Sequence, residues 1–148
     1  MKIKEVKFQD LKKITKLERK IFEENAFSKE TLKRLIVDNE FFLKVEKGKL
    51  RKLLAGFVIV IKDRKDRANI INFLINPKYQ SQGIGTILLR KTIEDIKMIK
   101  DINNIVLNVN INNRNAIKLY KNHQFNITKE IKDYYNNGES SFFMELNI

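Results

Sequence analysis

Two glycines at the start of an amphipathic segment are spaced so that the backbone around them could bind an anionic group. Gly83 and Gly85 follow an apolar run and Pro77, and apolar residues with helical spacing come after them. The first backbone N–H groups of a helix lack partners within the helix, and the helix dipole adds partial positive charge there. Glycine lets an oxygen-rich group approach the main chain, so the backbone from Gln82 to Thr86 predicts a phosphate or pyrophosphate site. The structural alternative is a tight turn that needs positive φ.

The spacing of these glycines distinguishes the segment from two common nucleotide-binding loops. It lacks the third glycine of the dinucleotide fingerprint, and it lacks the Gly-Lys-Ser/Thr ending of loops that bind nucleoside triphosphates. Both of these nucleotide classes are therefore disfavoured as ligands.

The composition of the chain excludes several other kinds of site. There is no cysteine, which excludes disulfides, thiolate metal sites and a cysteine nucleophile. His123 is the one histidine, so we expect neither a zinc site nor a Ser-His-Asp triad. We predict a site that holds no metal.

The elements that must position the glycine segment can be predicted from the apolar periodicity. Helices are predicted over residues 9–24, from an N-cap at Ser28 to about Val37, over 84–98 and over 114–122. Strands are predicted over residues 1–8, 41–46, 53–62, 68–75, 105–109, 125–134 and 141–146, with a turn at Lys47-Gly48-Lys49. This order predicts an α/β (mixed α+β) protein, in which helices flank a mixed sheet. The 148 residues fit a single domain, 1–148.

The chain is strongly basic, with a formal net charge of +12 and a pI near 9.8. Such charge suits nucleic acid, an anionic membrane surface or an anionic ligand, but the lysines are scattered and could simply solvate the surface. The N-terminal residues lack the apolar core of a secretory signal, and no apolar run reaches the length of a membrane span. We therefore expect a cytoplasmic protein without a membrane partner.

The pattern Gln80-x-x-Gly83-x-Gly85 resembles the acetyl-CoA signature of the GNAT superfamily, Gln/Arg-x-x-Gly-x-Gly/Ala. A second segment, Asn113-x-x-Ala116-x-x-Leu119-Tyr120, is similar to that family's Asn-x-x-Ala-x-x-Leu-Tyr motif. The order of elements also matches across nearly the whole chain. The resemblance implies a GNAT-type fold, with a twisted mixed sheet of about seven strands and about four helices, and acetyl-CoA as acetyl donor.

The resemblance also implies roles for individual residues. Amides of the glycine turn would hold the pyrophosphate, and the preceding strand would bind the pantetheine arm and the acetyl carbonyl. Asn113 would contact the cofactor unless it only caps a helix, and Tyr120 would protonate the leaving thiolate unless it only packs. The implied cofactor-binding residues are Phe73, Leu74, Ile75, Gln80, Ser81, Gln82, Gly83, Ile84, Gly85, Thr86, Asn113 and Tyr120.

Within the superfamily, the chain looks like the protein N-terminal acetyltransferases, including those that act on ribosomal-protein alanine. That likeness places Tyr134 and Tyr135 over a peptide groove opposite Phe27, although these aromatics could simply pack a hairpin. The chain departs from those families by carrying Asn108 where a glutamate base is usual. It also has Ser140 in place of a tail acid, and it lacks a Pro-Trp pair near Phe27.

Transfer of acetyl to the N-terminal α-amine of a protein or peptide is the leading hypothesis. Tyr120 would be the general acid, and a water held by Asn108, Asn72 or a strand carbonyl would carry the amine's proton outward. An acetyltransferase for a small-molecule amine is the first alternative, which the net positive charge disfavours for polycations. A non-catalytic basic domain associated with the ribosome or RNA is the second, although nucleic acid is not the favoured partner.

Overall fold

A computed structural model describes residues 1–148 and places all seven predicted strands in one mixed sheet. The strands are β1 (Lys2–Glu5), β2 (Phe41–Lys47), β3 (Leu53–Arg64), β4 (Arg67–Ile75), β5 (Asn104–Asn110), β6 (Asn126–Ile131) and β7 (Ser141–Asn147). Their order across the sheet is β1-β2-β3-β4-β5-β7-β6. Only β4 and β5 are parallel; the other neighbours are antiparallel. The predicted fold class is confirmed.

Four α-helices cover the two faces of the sheet, as predicted. They are α1 (Leu11–Phe22), α2 (Lys29–Val37), α3 (Ile84–Lys97) and α4 (Arg114–Asn122). Apolar residues of α1 and α2 form one buried cluster with β2, β3 and β4, and α3 and α4 pack into a larger cluster on the opposite face. No helix in the structure is both long enough and apolar enough to cross a membrane.

The first strand is shorter than predicted, and its end has a local cause. The Asp10 carboxylate accepts a hydrogen bond from the Lys7 backbone N–H at 2.8 Å, which turns the chain toward α1 before Phe8 can extend the strand. The β2–β3 connection runs over residues 48–52 rather than over the predicted Lys47-Gly48-Lys49, because β2 extends through Lys47, whereas β3 begins at Leu53 as predicted.

A β-bulge in β4 interrupts the alternation of its side chains. Ile59 of β3 pairs with Asn72 and Val60 pairs with Ile70, so Ile71 is an extra residue in β4. A bulge bends its strand and increases the local twist. The parallel ladder between β4 and β5 ends at this point, since its last pair is Ile70 with Leu107. Beyond it, the C-terminal half of β4 and the end of β5 leave a gap between them, which positions the site.

Candidate active site

A cleft of about 320 Å³ lies between the end of β4 and the start of α3. We call it the donor cleft, and its walls include residues of α1, β4, the glycine turn and α4. The lining residues are Ile21, Phe22, Phe73, Leu74, Ile75, Tyr79, Gln80, Ser81, Gly83, Ile84, Gly85, Thr86, Asn113, Asn115, Ala116 and Leu119. All the predicted cofactor-binding residues except Gln82 and Tyr120 therefore line one cleft.

The glycine turn has the geometry of a helix N-terminus open to a ligand. Gly83 is the N-cap of α3 and has φ of +78°, a left-handed conformation that favours glycine. The first helical hydrogen bond runs from Ile87 N–H to the Gly83 carbonyl, so the amides of the intervening first turn have no intrahelical acceptor. At Gly85 an added Cβ would lie 3.4 Å from Leu119, an ordinary contact that suits either glycine or alanine.

Two predicted cofactor residues have other contacts. Gln82 lies outside the donor cleft, and its side chain accepts a hydrogen bond from Lys47 Nζ at 2.6 Å. Asn113 caps α4, because its Oδ1 accepts from the Ala116 N–H at 3.2 Å. It also lines the donor cleft, so capping does not remove it from the site.

A smaller cleft of about 130 Å³ occupies the gap between β4 and β5, and we call it the acceptor cleft. Its lining residues are Glu18, Phe22, Asn25, Phe27, Ile70, Ile71, Asn72, Phe73, Asn108, Val109, Asn110, Asn113, Tyr120 and Tyr135. Phe22, Phe73 and Asn113 line both clefts. The two clefts therefore meet beside the bulged segment of β4.

Tyr120 lines the acceptor cleft, with only 5% of its surface exposed. Its ring is held edge-on by Phe73, with centroids 6.0 Å apart, and by Phe125 at 5.8 Å. Burial raises the pKa of the Tyr120 phenol well above its ordinary value. The phenol is therefore protonated at neutral pH and can act as a hydrogen-bond donor or an acid.

Three of the four predicted acceptor-binding residues line the acceptor cleft: Phe27, Asn108 and Tyr135. The Asn108 Oδ1 accepts a hydrogen bond from Ser141 Oγ at 3.1 Å, which fixes the orientation of the amide. Tyr134 is 47% exposed and is not part of the cleft wall; it packs edge-on against the Tyr135 ring, with centroids 4.9 Å apart.

Glu18 is a cleft residue that the sequence analysis missed. It lies on α1 with 1% of its surface exposed, and its carboxylate accepts hydrogen bonds from Asn72 Nδ2 at 2.7 Å and from Phe27 N–H at 2.8 Å. Burial raises its pKa, and the two hydrogen bonds oppose that change. The sequence contained an indication of this, because Glu18 is a charged residue within the apolar stripe that Ile14, Leu17 and Ile21 form on α1.

An open, acidic cleft of about 360 Å³ adjoins the acceptor cleft and shares Phe22, Asn25, Asn110 and Asn113 with it. Its walls include Glu23, Glu24 and Glu139, and we call it the mouth. Asn136 Nδ2 donates to the Glu24 carbonyl at 3.2 Å, joining the β6–β7 loop to the α1–α2 loop. The Asn137 N–H also donates to Asn25 Oδ1, at 3.3 Å. These contacts tie the two loops together beside the three carboxylates of the mouth.

Comparison with known families gives a match over most of the chain. Residues 8–125 match the Acetyltransferase (GNAT) family. An N-alpha-acetyltransferase of Sulfurisphaera tokodaii is 30% identical over 78 residues, covering 53% of this chain and 47% of the relative. The chain thus spans about half the length of the archaeal relatives that it matches.

Two further comparisons extend over the full chain. A Bacillus subtilis protein, provisionally named as a ribosomal protein bS18-alanine N-acetyltransferase, is 28% identical over 99% of this chain and 95% of its own length. The crystal structure of the ribosomal-protein-S18-alanine N-acetyltransferase from Escherichia coli superposes with a TM-score of 0.79. It covers 99% of this chain and 93% of that one at 27% identity.

Proposed function

This chain belongs to the GNAT family of acetyltransferases, and we propose that it transfers an acetyl group from acetyl-CoA to the N-terminal α-amine of a protein or peptide. Names of relatives support this substrate class, since they include N-alpha-acetyltransferases and a ribosomal protein bS18-alanine N-acetyltransferase. The observation that carries the proposal is the meeting of the donor and acceptor clefts at Phe73 and Asn113.

The donor cleft offers separate groups to the two ends of acetyl-CoA. The open first turn of α3, at Ile84 to Thr86, would bind the pyrophosphate through backbone amides and the helix dipole. The pantetheine arm would lie along β4 toward Phe73, where the strand no longer pairs with β5. Amides of Phe73 to Ile75 would stabilise the oxyanion of the tetrahedral intermediate. Tyr120 would protonate the departing thiolate.

The size of the acceptor cleft favours a chain end over a bulky acceptor. A space of about 130 Å³, with a bridged mouth, suits an amino terminus and one small side chain. Amine chemistry favours the same acceptor. An α-amine has a pKa near 8, so about a tenth of it is neutral at pH 7. A lysine amine has a pKa near 10.4, so only about one molecule in two thousand is neutral at that pH.

We expect the enzyme to acetylate an N-terminal amine about 10²-fold faster than a lysine in the same peptide, because the neutral fractions differ by about that factor. The measurement is mass spectrometry after incubation with acetyl-CoA. The substrates are a peptide with a free N-terminus and one lysine, and its twin with a blocked N-terminus. Equal rates for the two peptides would contradict the α-amine assignment.

A linear polyamine added as a third substrate tests the small-amine alternative. Net charge was expected to disfavour polycations, but the carboxylates of Glu23, Glu24 and Glu139 make the local field at the mouth attractive to a cation. A polyamine turned over faster than the free peptide would replace the N-terminal substrate with a small-molecule amine.

A basic cleft on the opposite side of α1 favours RNA contact as a second function. This cleft, of about 280 Å³, is lined by Lys13, Lys16, Leu17, Lys20, Arg51, Lys52, Leu53, Leu54, Asn76 and Lys78. None of its six cations forms an ion pair with a carboxylate. Uncompensated cations on one surface are the electrostatic signature of a phosphate-binding patch.

Replacing Lys16 and Lys20 together by glutamate should weaken RNA binding and make the log–log salt dependence shallower by about 1.4, since each lost phosphate contact contributes about 0.7 for single strands. Filter binding across a salt series measures both quantities. The matched control is Lys97→Glu with Lys100→Glu, two exposed lysines outside the basic cleft that change net charge equally. Identical slopes for the two double variants, or no salt dependence in the parent, would remove RNA contact at this cleft.

A further inference from the structure

A buried carboxylate that the mechanism above leaves unused faces the acceptor cleft. Glu18 projects from α1 into the same space as Tyr120 and Phe73. Each of its carboxylate oxygens accepts one hydrogen bond, from Asn72 Nδ2 or from the Phe27 N–H. A carboxylate oxygen has two lone-pair sites, so each can still accept one proton or hydrogen bond. The Glu18 carboxylate can therefore accept a proton or a hydrogen bond from a group bound in the acceptor cleft.

No other side chain that lines the acceptor cleft can accept a proton near neutral pH. The only other titratable groups there are the phenols of Tyr120 and Tyr135, and burial raises the pKa of both. The asparagines in the cleft are amides, which are not bases. The single histidine, His123, is outside the cleft, with its Nδ1 2.9 Å from the Leu119 carbonyl. Glu18 is therefore the one side chain lining the acceptor cleft that can act as a base near neutral pH.

We infer that Glu18 is the general base of the transfer, taking a proton from the α-ammonium group of the acceptor. This inference rests on the proposed function. In the first step, an N–H bond of the ammonium breaks and an O–H bond forms on Glu18, which leaves a neutral amine. The amine nitrogen then attacks the thioester carbonyl carbon, and the carbonyl π electrons move to oxygen as the oxyanion.

Collapse of the intermediate reforms the carbonyl and breaks the C–S bond, and the sulfur takes the proton of the Tyr120 phenol. The second proton of the nitrogen passes to the tyrosinate, and the protonated Glu18 returns its proton to solvent. Atoms and charge balance: an ammonium and a thioester become an amide, a thiol and one released proton.

The environment of Glu18 is suited to this role. A base works best when its pKa lies near the operating pH, and burial moves the pKa of this carboxyl upward toward that range. The acceptor arrives as a cation through the acidic mouth. A buried anion at the inner end would bind that cation before it takes the proton.

The test is Glu18→Gln, which keeps the shape and can keep both hydrogen bonds. The glutamine oxygen can accept from Phe27 N–H, and its amide can donate to Asn72 if the Asn72 amide turns over. We expect kcat/KM at pH 7 for an unblocked peptide to fall about 10²-fold, while the dissociation constant of acetyl-CoA stays unchanged. Above the α-amine pKa of about 8 the substrate arrives neutral, so the defect should shrink as pH rises.

A merely structural Glu18 predicts a defect of the same size at every pH, so the pH profile separates the two roles. The matched control is Glu94→Gln, an exposed acid on α3 that lines none of the clefts described above, for which we expect a small change that does not vary with pH in this way. Because the folded pKa of Glu18 is raised, the stabilisation that it gives is present at low pH and is lost as pH rises through that pKa. Glu18→Gln should therefore unfold at the parent's temperature or higher at pH 8.

Each outcome decides one question. A parent enzyme that does not acetylate α-amines overturns the proposed function rather than the role of Glu18. An active parent whose Glu18→Gln variant keeps its rate, or loses it equally at all pH values, overturns the general base. If Glu18→Gln does not fold, Glu18→Asp retains the charge. The rate of the Glu18→Asp variant should be lower than that of the parent, and its activity should still fall at low pH because a carboxylate remains. An unchanged rate would refute the inference.

Discussion

Replacing Tyr120 by phenylalanine is expected to lower kcat about 10²-fold while acetyl-CoA affinity and thermal stability change little. The substitution removes one oxygen and leaves the ring between Phe73 and Phe125. The raised pKa keeps the parent's phenol protonated, so the loss measures its contribution as acid to the thiolate. Steady-state kinetics with an unblocked peptide, beside calorimetric titration with acetyl-CoA, gives both quantities.

Packing and chemistry at Tyr120 can be separated with Phe125→Leu. That variant removes the neighbouring aromatic ring, which is 1% exposed, and leaves the phenol in place. It should lose stability by about 1–2 kcal/mol and keep most of kcat. If Tyr120→Phe retains a kcat close to that of the parent, the phenol is not the acid. If it only raises the acetyl-CoA dissociation constant, Tyr120 contributes to binding rather than to chemistry.

Gly83→Val should weaken acetyl-CoA binding at least tenfold, about 1.4 kcal/mol. The physical reason has two parts. A β-branched residue at φ of +78° is strained, which distorts the N-cap of α3. An added Cβ meets no protein atom within 4 Å, so the new side chain would project into open space beside the amides that we assign to the pyrophosphate. Calorimetric titration of the folded variant measures the change.

Gly138→Val is the matched control for backbone strain. Gly138 has φ of +84°, and a Cβ added there would likewise meet no atom within 4 Å, but this glycine lies in the β6–β7 loop outside the donor cleft. Both variants should lose similar stability, and only Gly83→Val should lose affinity. Equal dissociation constants for the two would show that the glycine turn does not hold the cofactor.

Helix boundaries were the most predictable part of the fold, because caps are local. Ser28 accepts from the Thr31 N–H at 3.1 Å and starts α2 at the predicted residue, and Asn113 caps α4 in the same way. Gly83, which has no side chain, precedes α3 at the predicted residue through its left-handed backbone. The donor cleft was predictable for the same reason, since most of its residues belong to one strand–turn–helix segment.

The acceptor cleft was less predictable because it depends on contacts between distant segments. Glu18 and Asn72 are 54 residues apart, and no local pattern indicates that they meet. The alternation in β4 also misleads, because it puts Ile71 and Phe73 on one face. In the structure Phe73 packs with the α3–α4 cluster while Ile71 packs with the α1–α2 cluster.

The bulge at Ile71 makes the function of this chain depend on its length as well as on its residue types. Deleting Ile71 would restore uninterrupted pairing between β3 and β4 and keep every other side chain. The sheet would gain regularity, and Asn72 and Phe73 would keep their faces, but the bend and extra twist that part β4 from β5 beyond Ile70 would be lost, and with them the gap that forms the acceptor cleft. No substitution is equivalent to that deletion, since substitutions keep the residue count. A designer, or an evolving lineage, would therefore gain or lose this site through a one-residue insertion or deletion.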